Sequence, residues 1–227
     1  MKQFWLVITV AFLVACTGQQ AQNPPTEVEV TGSAQDTNSG PLAGEWHSFQ
    51  CGDVAVDAAF ETDGQVSLSL PWGRVELYEV PAASGARFDD GDIEFWTRGS
   101  DQARLTTAGT ESIDCSPRDS LSPWTRAMLQ GVDFRAVGNE PGWHVEVIEE
   151  EMLMILTRDH GALHQVFEDI EVLADQAGYR AESGGKDVVV TLDSAPCQDT
   201  NVGWTFPLTV SLGINGQTLQ ACGRFLR

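Results

Sequence analysis

The strongest constraint in this chain is a hydrophobic period of two that recurs between turn signals. Val66, Leu68 and Leu70 alternate with polar residues, as do Val75 and Leu77, then Ile93 and Phe95. Asp63-Gly64, Asp90-Gly91, Gly99-Ser100 and Ala108-Gly109 punctuate these runs. Alternation places one side of each segment toward a core, and short strands at this spacing build a small antiparallel barrel or sandwich. The pattern returns in the second half with Val145 and Val147, with Val188, Val190 and Leu192, and with Leu208, Val210 and Leu212. The apolar run Met152 to Leu156 reads as a strand buried on both faces. Asn215-Gly216 is the strongest hairpin turn in the chain. Between the halves, Ser122 suits a helix N-cap, Pro123 the first helical position and Gly131 the position after the end. The expected fold class is all-β: two small antiparallel β-barrel or sandwich domains joined by a short helix. The expected boundaries are 41–117 and 118–227.

The N-terminus reads as an address. Lys2 precedes an uncharged apolar run from Phe4 to Val14, too short to span a bilayer as a helix. The run ends Leu13-Val14-Ala15-Cys16, which looks like a bacterial lipobox. Residues 1–15 are therefore read as a signal peptide and Cys16 as the lipidation site. By resemblance to known lipoproteins, Thr17 rather than Asp after that Cys points to an outer-membrane anchor facing the periplasm. Residues 17–40 are polar, rich in Gln, Asn, Thr, Pro and Gly, and lack hydrophobic periodicity. They suit a flexible tether with a random-coil reach of roughly 25–30 Å.

Five cysteines in an exported chain leave one over. Lipidation of Cys16 accounts for it. The remaining four allow three pairings. Cys51–Cys115 with Cys197–Cys222 is expected, because it keeps each bridge within one half. No C-x-x-C or Cys/His spacing supports a metal site, and no metal or cofactor is expected.

The 227 residues carry 33 acids against 13 Lys and Arg, for a net charge of -20. That excludes a nucleic-acid binder, which needs cations to displace phosphate counterions. It tolerates a basic partner. Residues 41–117 hold 14 acids against 4 Arg, and residues 118–227 hold 16 against 8 Lys and Arg. The acidity thus belongs to both halves, as adaptation to a saline environment also produces. No nucleophile elbow, P-loop or dinucleotide fingerprint appears, so no enzyme activity is expected. His160, His164 and Glu168 would share a face only on a helix, and Gly161 argues against one. Glu149 to Glu151 reads as a solvated turn.

Two short motifs carry a family resemblance. The first is Ser84-Gly85-Ala86-Arg87-Phe88, and the second is Thr97-Arg98-Gly99 after Phe95-Trp96. Between Cys51 and Cys115, and behind a lipobox, these resemble the membrane-bound inhibitor of C-type lysozyme family over about residues 49–115. The family pattern is Ser-Gly-x-x-Tyr and Tyr-x-x-x-Thr-Lys-Gly. Here Phe88 and Ile93 stand at the Tyr positions and Arg98 at the Lys position. The resemblance implies an antiparallel β-barrel that pushes a loop into the lysozyme cleft. It names C-type lysozyme as partner and Ser84, Gly85, Arg87, Phe88, Trp96, Thr97 and Arg98 as candidate contacts. A lysozyme cleaves between two carboxyl groups. Ser84 offers a hydroxyl on a glycine loop, and Arg98 a planar fork suited to carboxylate. A monomer is expected. Two other readings compete: an envelope binding module without inhibitory activity, and an enzyme site in the second half using acids such as Glu140 and Asp199.

The second half resembles small bacterial envelope domains with a Gly-Asn-Glu-Pro-Gly-Trp motif, here Gly138 to Trp143. Cys197-Gln198-Asp199, Phe206-Pro207 and Ala221-Cys222-Gly223 complete the match. The resemblance implies no activity, and a tight Pro-Gly turn is the expected role of Asn139 to Gly142.

Overall fold

The computed structural model describes residues 45–99 and 101–227. The expected signal peptide, lipidation site Cys16 and tether lie outside them. Eight strands form a closed antiparallel barrel in simple meander order. They are β1 (Trp46–Cys51), β2 (Val54–Phe60), β3 (Gln65–Leu70), β4 (Gly73–Val80), β5 (Ala86–Asp89), β6 (Ile93–Arg98), β7 (Gln102–Thr107) and β8 (Ile113–Arg118). Closure removes every free edge. Cys51 sits opposite Cys115 in the β1–β8 register, and the two form a disulfide, so the bridge staples the seam of the barrel. Inside, Phe49, Val66, Leu68, Leu77, Phe88, Phe95 and Leu105 make a continuous core.

Helix α1 (Pro123–Leu129) follows, with Ser122 as its N-cap: the Ser122 hydroxyl accepts from the Thr125 N–H at 3.2 Å. The second sheet has nine strands in the order β12-β11-β10-β9-β19-β18-β15-β14-β13. They are β9 (Phe134–Gly138), β10 (Trp143–Ile148), β11 (Leu153–Arg158), β12 (Leu163–Phe167), β13 (Glu171–Val172), β14 (Gly178–Ser183), β15 (Lys186–Asp193), β18 (Leu208–Ile214) and β19 (Gln217–Phe225). A small hairpin of β16 (Cys197–Gln198) and β17 (Thr205–Phe206) stands apart, tied to β19 by the Cys197–Cys222 disulfide. The curled sheet buries Phe134, Trp143, Val145, Leu156, Phe167, Tyr179 and Val190. Asn215 and Gly216 turn β18 into β19 with φ of 51° and 74°, the paired positive values of a tight hairpin turn.

Two expectations need correction. Met152 to Leu156 is not a strand buried on both faces. Met152 is an exposed turn residue, and in β11 Met154 and Leu156 are buried while Leu153 and Ile155 are half-exposed. The run is apolar because its outer side is only partly covered. Ser67 and Ser69 alternate with Leu68 and Leu70, as on a one-sided strand, yet both are buried. Helix α1 packs against β3, so the outer face of the barrel is not solvent there.

That contact is polar at its centre. Asp57 is fully buried. Its carboxylate accepts from the Ser48 hydroxyl at 2.5 Å and from the Ser122 N–H, the helix cap, at 2.9 Å. Arg224, also buried, donates from Nε to the Pro71 carbonyl at 3.0 Å and from Nη2 to the Leu70 carbonyl at 3.2 Å. Its guanidinium stacks 5.2 Å from the Trp124 ring centre. Burial lowers its pKa to about 10, so it remains cationic at neutral pH. Trp72 packs on Trp204 beside it, with ring centroids 6.1 Å apart. Barrel, helix and curled sheet are thereby one compact unit.

On the curled sheet, His144 pairs across with Val137 and Thr157. Burial first, then the charge of Arg135 and the neighbouring His164, holds its pKa down to about 4. An unfolded His titrates near 6.5. The unfolded chain therefore binds more protons between about pH 4 and 6.5, and stability falls as pH drops through that window. His144→Gln should show a shallower fall in melting temperature between pH 6.5 and 4 than the parent. Parallel curves would show that His144 contributes nothing.

Candidate functional site

The loop Pro81 to Gly85 joins β4 to β5, and every residue in it is exposed. It runs beside β6, whose alternation divides the second motif. Phe95 and Thr97 face inward, while Trp96 and Arg98 face outward. Trp96 connects the two motifs. Its indole Nε1–H donates to the Ser84 carbonyl at 2.8 Å. The Arg98 guanidinium lies over the same ring, 4.1 Å from its centre, within cation–π range. Ser84 and Arg98, fourteen positions apart in sequence, thus flank one indole.

Gly85 fixes how closely the loop approaches. Its φ is +72°, and a Cβ built there would lie 2.1 Å from the Thr97 carbonyl oxygen. No side chain fits that space. Gly85 therefore lets the loop backbone lie directly against the second motif.

The remaining candidates divide. Arg87 faces outward across from Trp96 and pairs with Glu94 at 2.7 Å, so its charge is already engaged. Among the described residues no carboxylate lies within ion-pair distance of Arg98. Phe88 and Thr97 are only 5% and 7% exposed. They belong to the barrel interior rather than to a contact surface. Phe88 packs against Phe60 with centroids 5.7 Å apart. Ile93, at the other Tyr position, is half-buried against the same core. Both substitutions therefore fall on packing positions beneath the site.

The fold adds two residues that the motifs do not mark. Register places Arg87, Trp96, Arg104 and Asp114 in one outward row across β5 to β8. Arg104 holds Asp114 at 2.8 Å and lies 5.7 Å from the Trp96 ring. A shallow depression of about 70 Å³ opens between Trp96, Arg98, Arg104 and Asp114. The Gly99-Ser100 turn signal marks the hairpin in the sequence, but the pairing of residues 96 and 104 needs the folded strands.

The histidines do not form a cluster. His160 lies in a short turn and His164 on β12, where its ring bonds to the Thr157 hydroxyl at 3.1 Å. Among the described residues no group of three or more His, Cys, Asp and Glu side chains is placed to hold a metal. Among the same residues, no helix is long and apolar enough to cross a membrane.

Comparison with known proteins gives one family match, within the barrel. Residues 49–114 match the family of membrane-bound lysozyme inhibitors of c-type lysozyme. The matched stretch spans the barrel from within β1 to within β8 and includes both motifs. The match supports a lysozyme-inhibitor role, and with it a c-type lysozyme partner and an envelope setting, for this part of the chain. No curated protein matches the sequence. A solved structure from Nitrosomonas europaea, provisionally assigned as AttH, aligns with 75% of this chain and 67% of its own, at 11% identity and a TM-score of 0.24.

Proposed function

We propose that this protein is a lipid-anchored inhibitor of c-type lysozyme, held at the outer membrane facing the periplasm. In this reading residues 1–15 are removed and Cys16 carries the lipid. Residues up to 40 then act as a leash for an inhibitory part at 41–117 and a second part at 118–227. The inhibitory act is insertion of the Ser84-Gly85 loop, with Arg98 beside it, into the active-site cleft.

The observation that carries this reading is the shared indole of Trp96. It bonds the loop at Ser84 and supports the cation of Arg98. An inhibitor that binds tightly must not lose freedom at the moment of binding. Here both groups are held before the target arrives. The Ser84 hydroxyl can donate to a catalytic carboxylate, and the Arg98 fork can neutralise one. The acidity of the chain would steer encounter with a basic lysozyme, more strongly at low salt.

Purified full-length protein added to c-type lysozyme should suppress cell-wall lysis at about 1:1 stoichiometry. Ser84→Ala and Arg98→Ala should each raise the inhibition constant by about tenfold or more, at roughly 1.4 kcal/mol per decade. Wild-type inhibition with both variants unchanged would remove the cleft-insertion mechanism. Absence of binding by the parent protein would remove the lysozyme reading altogether.

A further inference from the structure

The curled-sheet half contains a cleft that the inhibitor reading does not use. It holds about 500 Å³, within the range of small-molecule sites. Its walls come mainly from three segments far apart in sequence, the turn after β9, the β16–β17 hairpin and β19, with Thr209 of β18 beside them. These segments carry the three glycine- and cysteine-containing motifs of this half. Asn139 donates from Nδ2 to Asp199 Oδ1 at 2.7 Å, which ties two of the walls together. The Asn201 N–H donates to the same oxygen at 2.9 Å. The Cys197–Cys222 disulfide lies in the lining and ties the hairpin to the third wall. The β9–β10 turn is fixed from behind, because a Cβ at Gly138 would lie 2.1 Å from the Trp143 indole nitrogen.

We propose that this cleft binds an uncharged polyhydroxylated ligand, a sugar of one or two rings. The lining carries amides from Asn139, Asn201 and Gln220, hydroxyls such as Thr218, and the carboxylates of Glu140 and Asp199. A sugar hydroxyl both donates and accepts. Amides and hydroxyls meet both roles, and carboxylates take the donors. Val137 and the Cys197–Cys222 disulfide, on the same face of the sheet as Thr218 and Gln220, supply an apolar side for ring C–H groups. The lining contains no Lys, Arg or His. An anionic ligand would face two carboxylates with nothing to neutralise it. Asp199 Oδ1 already accepts two N–H groups, which leaves this carboxylate a hydrogen-bonding group more than a bare charge for an amine.

The test is a titration of the full-length protein with maltose, cellobiose and N,N′-diacetylchitobiose, followed by amide NMR shifts. Glucosamine and glucuronic acid serve as cationic and anionic controls. At least one neutral disaccharide should bind saturably with Kd at or below about 5 mM, with shifts confined to Asn139, Asp199 and β19. Gln220→Ala and Thr218→Ala, both at exposed positions, should each weaken that binding by about threefold or more with melting temperature unchanged. Saturable binding by neither the neutral sugars nor their analogues would overturn the proposal. Tighter binding of glucosamine or glucuronic acid would overturn it equally.

Discussion

Gly85→Ala is expected to abolish inhibition while leaving the barrel folded. The reason is geometric. At φ of +72° an alanine is strained before any contact is counted. Its Cβ would then lie 2.1 Å from the Thr97 carbonyl oxygen and 3.1 Å from Arg98 Cγ. Neither obstacle is a free side-chain end, because the first is backbone of a central hairpin. The loop must lift away from β6. Lifting it breaks the bond from Trp96 to the Ser84 carbonyl and separates the two groups that are proposed to enter the cleft together. The expected loss is about 100-fold in inhibition constant, corresponding to about 3 kcal/mol. Stability should change far less, since residues 81 to 85 are exposed and contribute nothing to the barrel core. An inhibition constant within about threefold of the parent would show that the loop need not lie against Thr97 to act. A variant that fails to fold would be separated from this case by its melting curve.

Arg224→Ala is expected to destabilise both sheets at once. Arg224 belongs to β19, but the carbonyls it satisfies belong to Leu70 and Pro71 in the barrel. Its removal leaves two buried acceptors unpaired and empties the space beside Trp124. Orphaned buried acceptors and a small cavity together cost about 3 kcal/mol. For a unit of this size that lowers the melting temperature by roughly 6–12 °C. Arg224→Lys should restore little of it, since one ammonium lacks the planar fork that reaches both carbonyls. The parent should melt in one transition, and the variant in one earlier transition. Two separate transitions in the parent would show that the sheets are independent. A drop below about 2 °C would show that solvent replaces the guanidinium without loss.

The sequence made the strands legible wherever one face met a core and the other met water. Val66, Leu68 and Leu70, and Leu208, Val210 and Leu212, read correctly for that reason. Ser122-Pro123 and Gly131 marked the helix because capping chemistry is local. The disulfides followed from keeping each pair within one half of the chain. What stayed hidden depended on long-range packing. Ser67 and Ser69 have the composition of a solvent face, and only the docked helix buries them. Asp57 and Arg224 are ordinary charges in sequence, and their burial depends on segments 65 and 153 positions away. Phe88 and Thr97 lie inside motifs that otherwise face outward, since alternation sends every second residue to the core. The row from Arg87 through Trp96 to Arg104 exists only once the hairpins pair.

The position of β19 has a consequence for how such a chain is made. It is the last of the described strands in chain order, yet it sits between β9 and β18 in the interior of its sheet. The barrel has its own seam disulfide by residue 115, so it can be locked before the rest of the chain has emerged. The curled sheet has no such option. Until residues 217–225 emerge, β9 and β18 each lack a neighbour, Cys197 lacks its partner, and the Leu70 and Pro71 carbonyls await Arg224. Ribosome stalling or proteolytic trimming in that final stretch would therefore remove a wall of the cleft and the clasp on the barrel together.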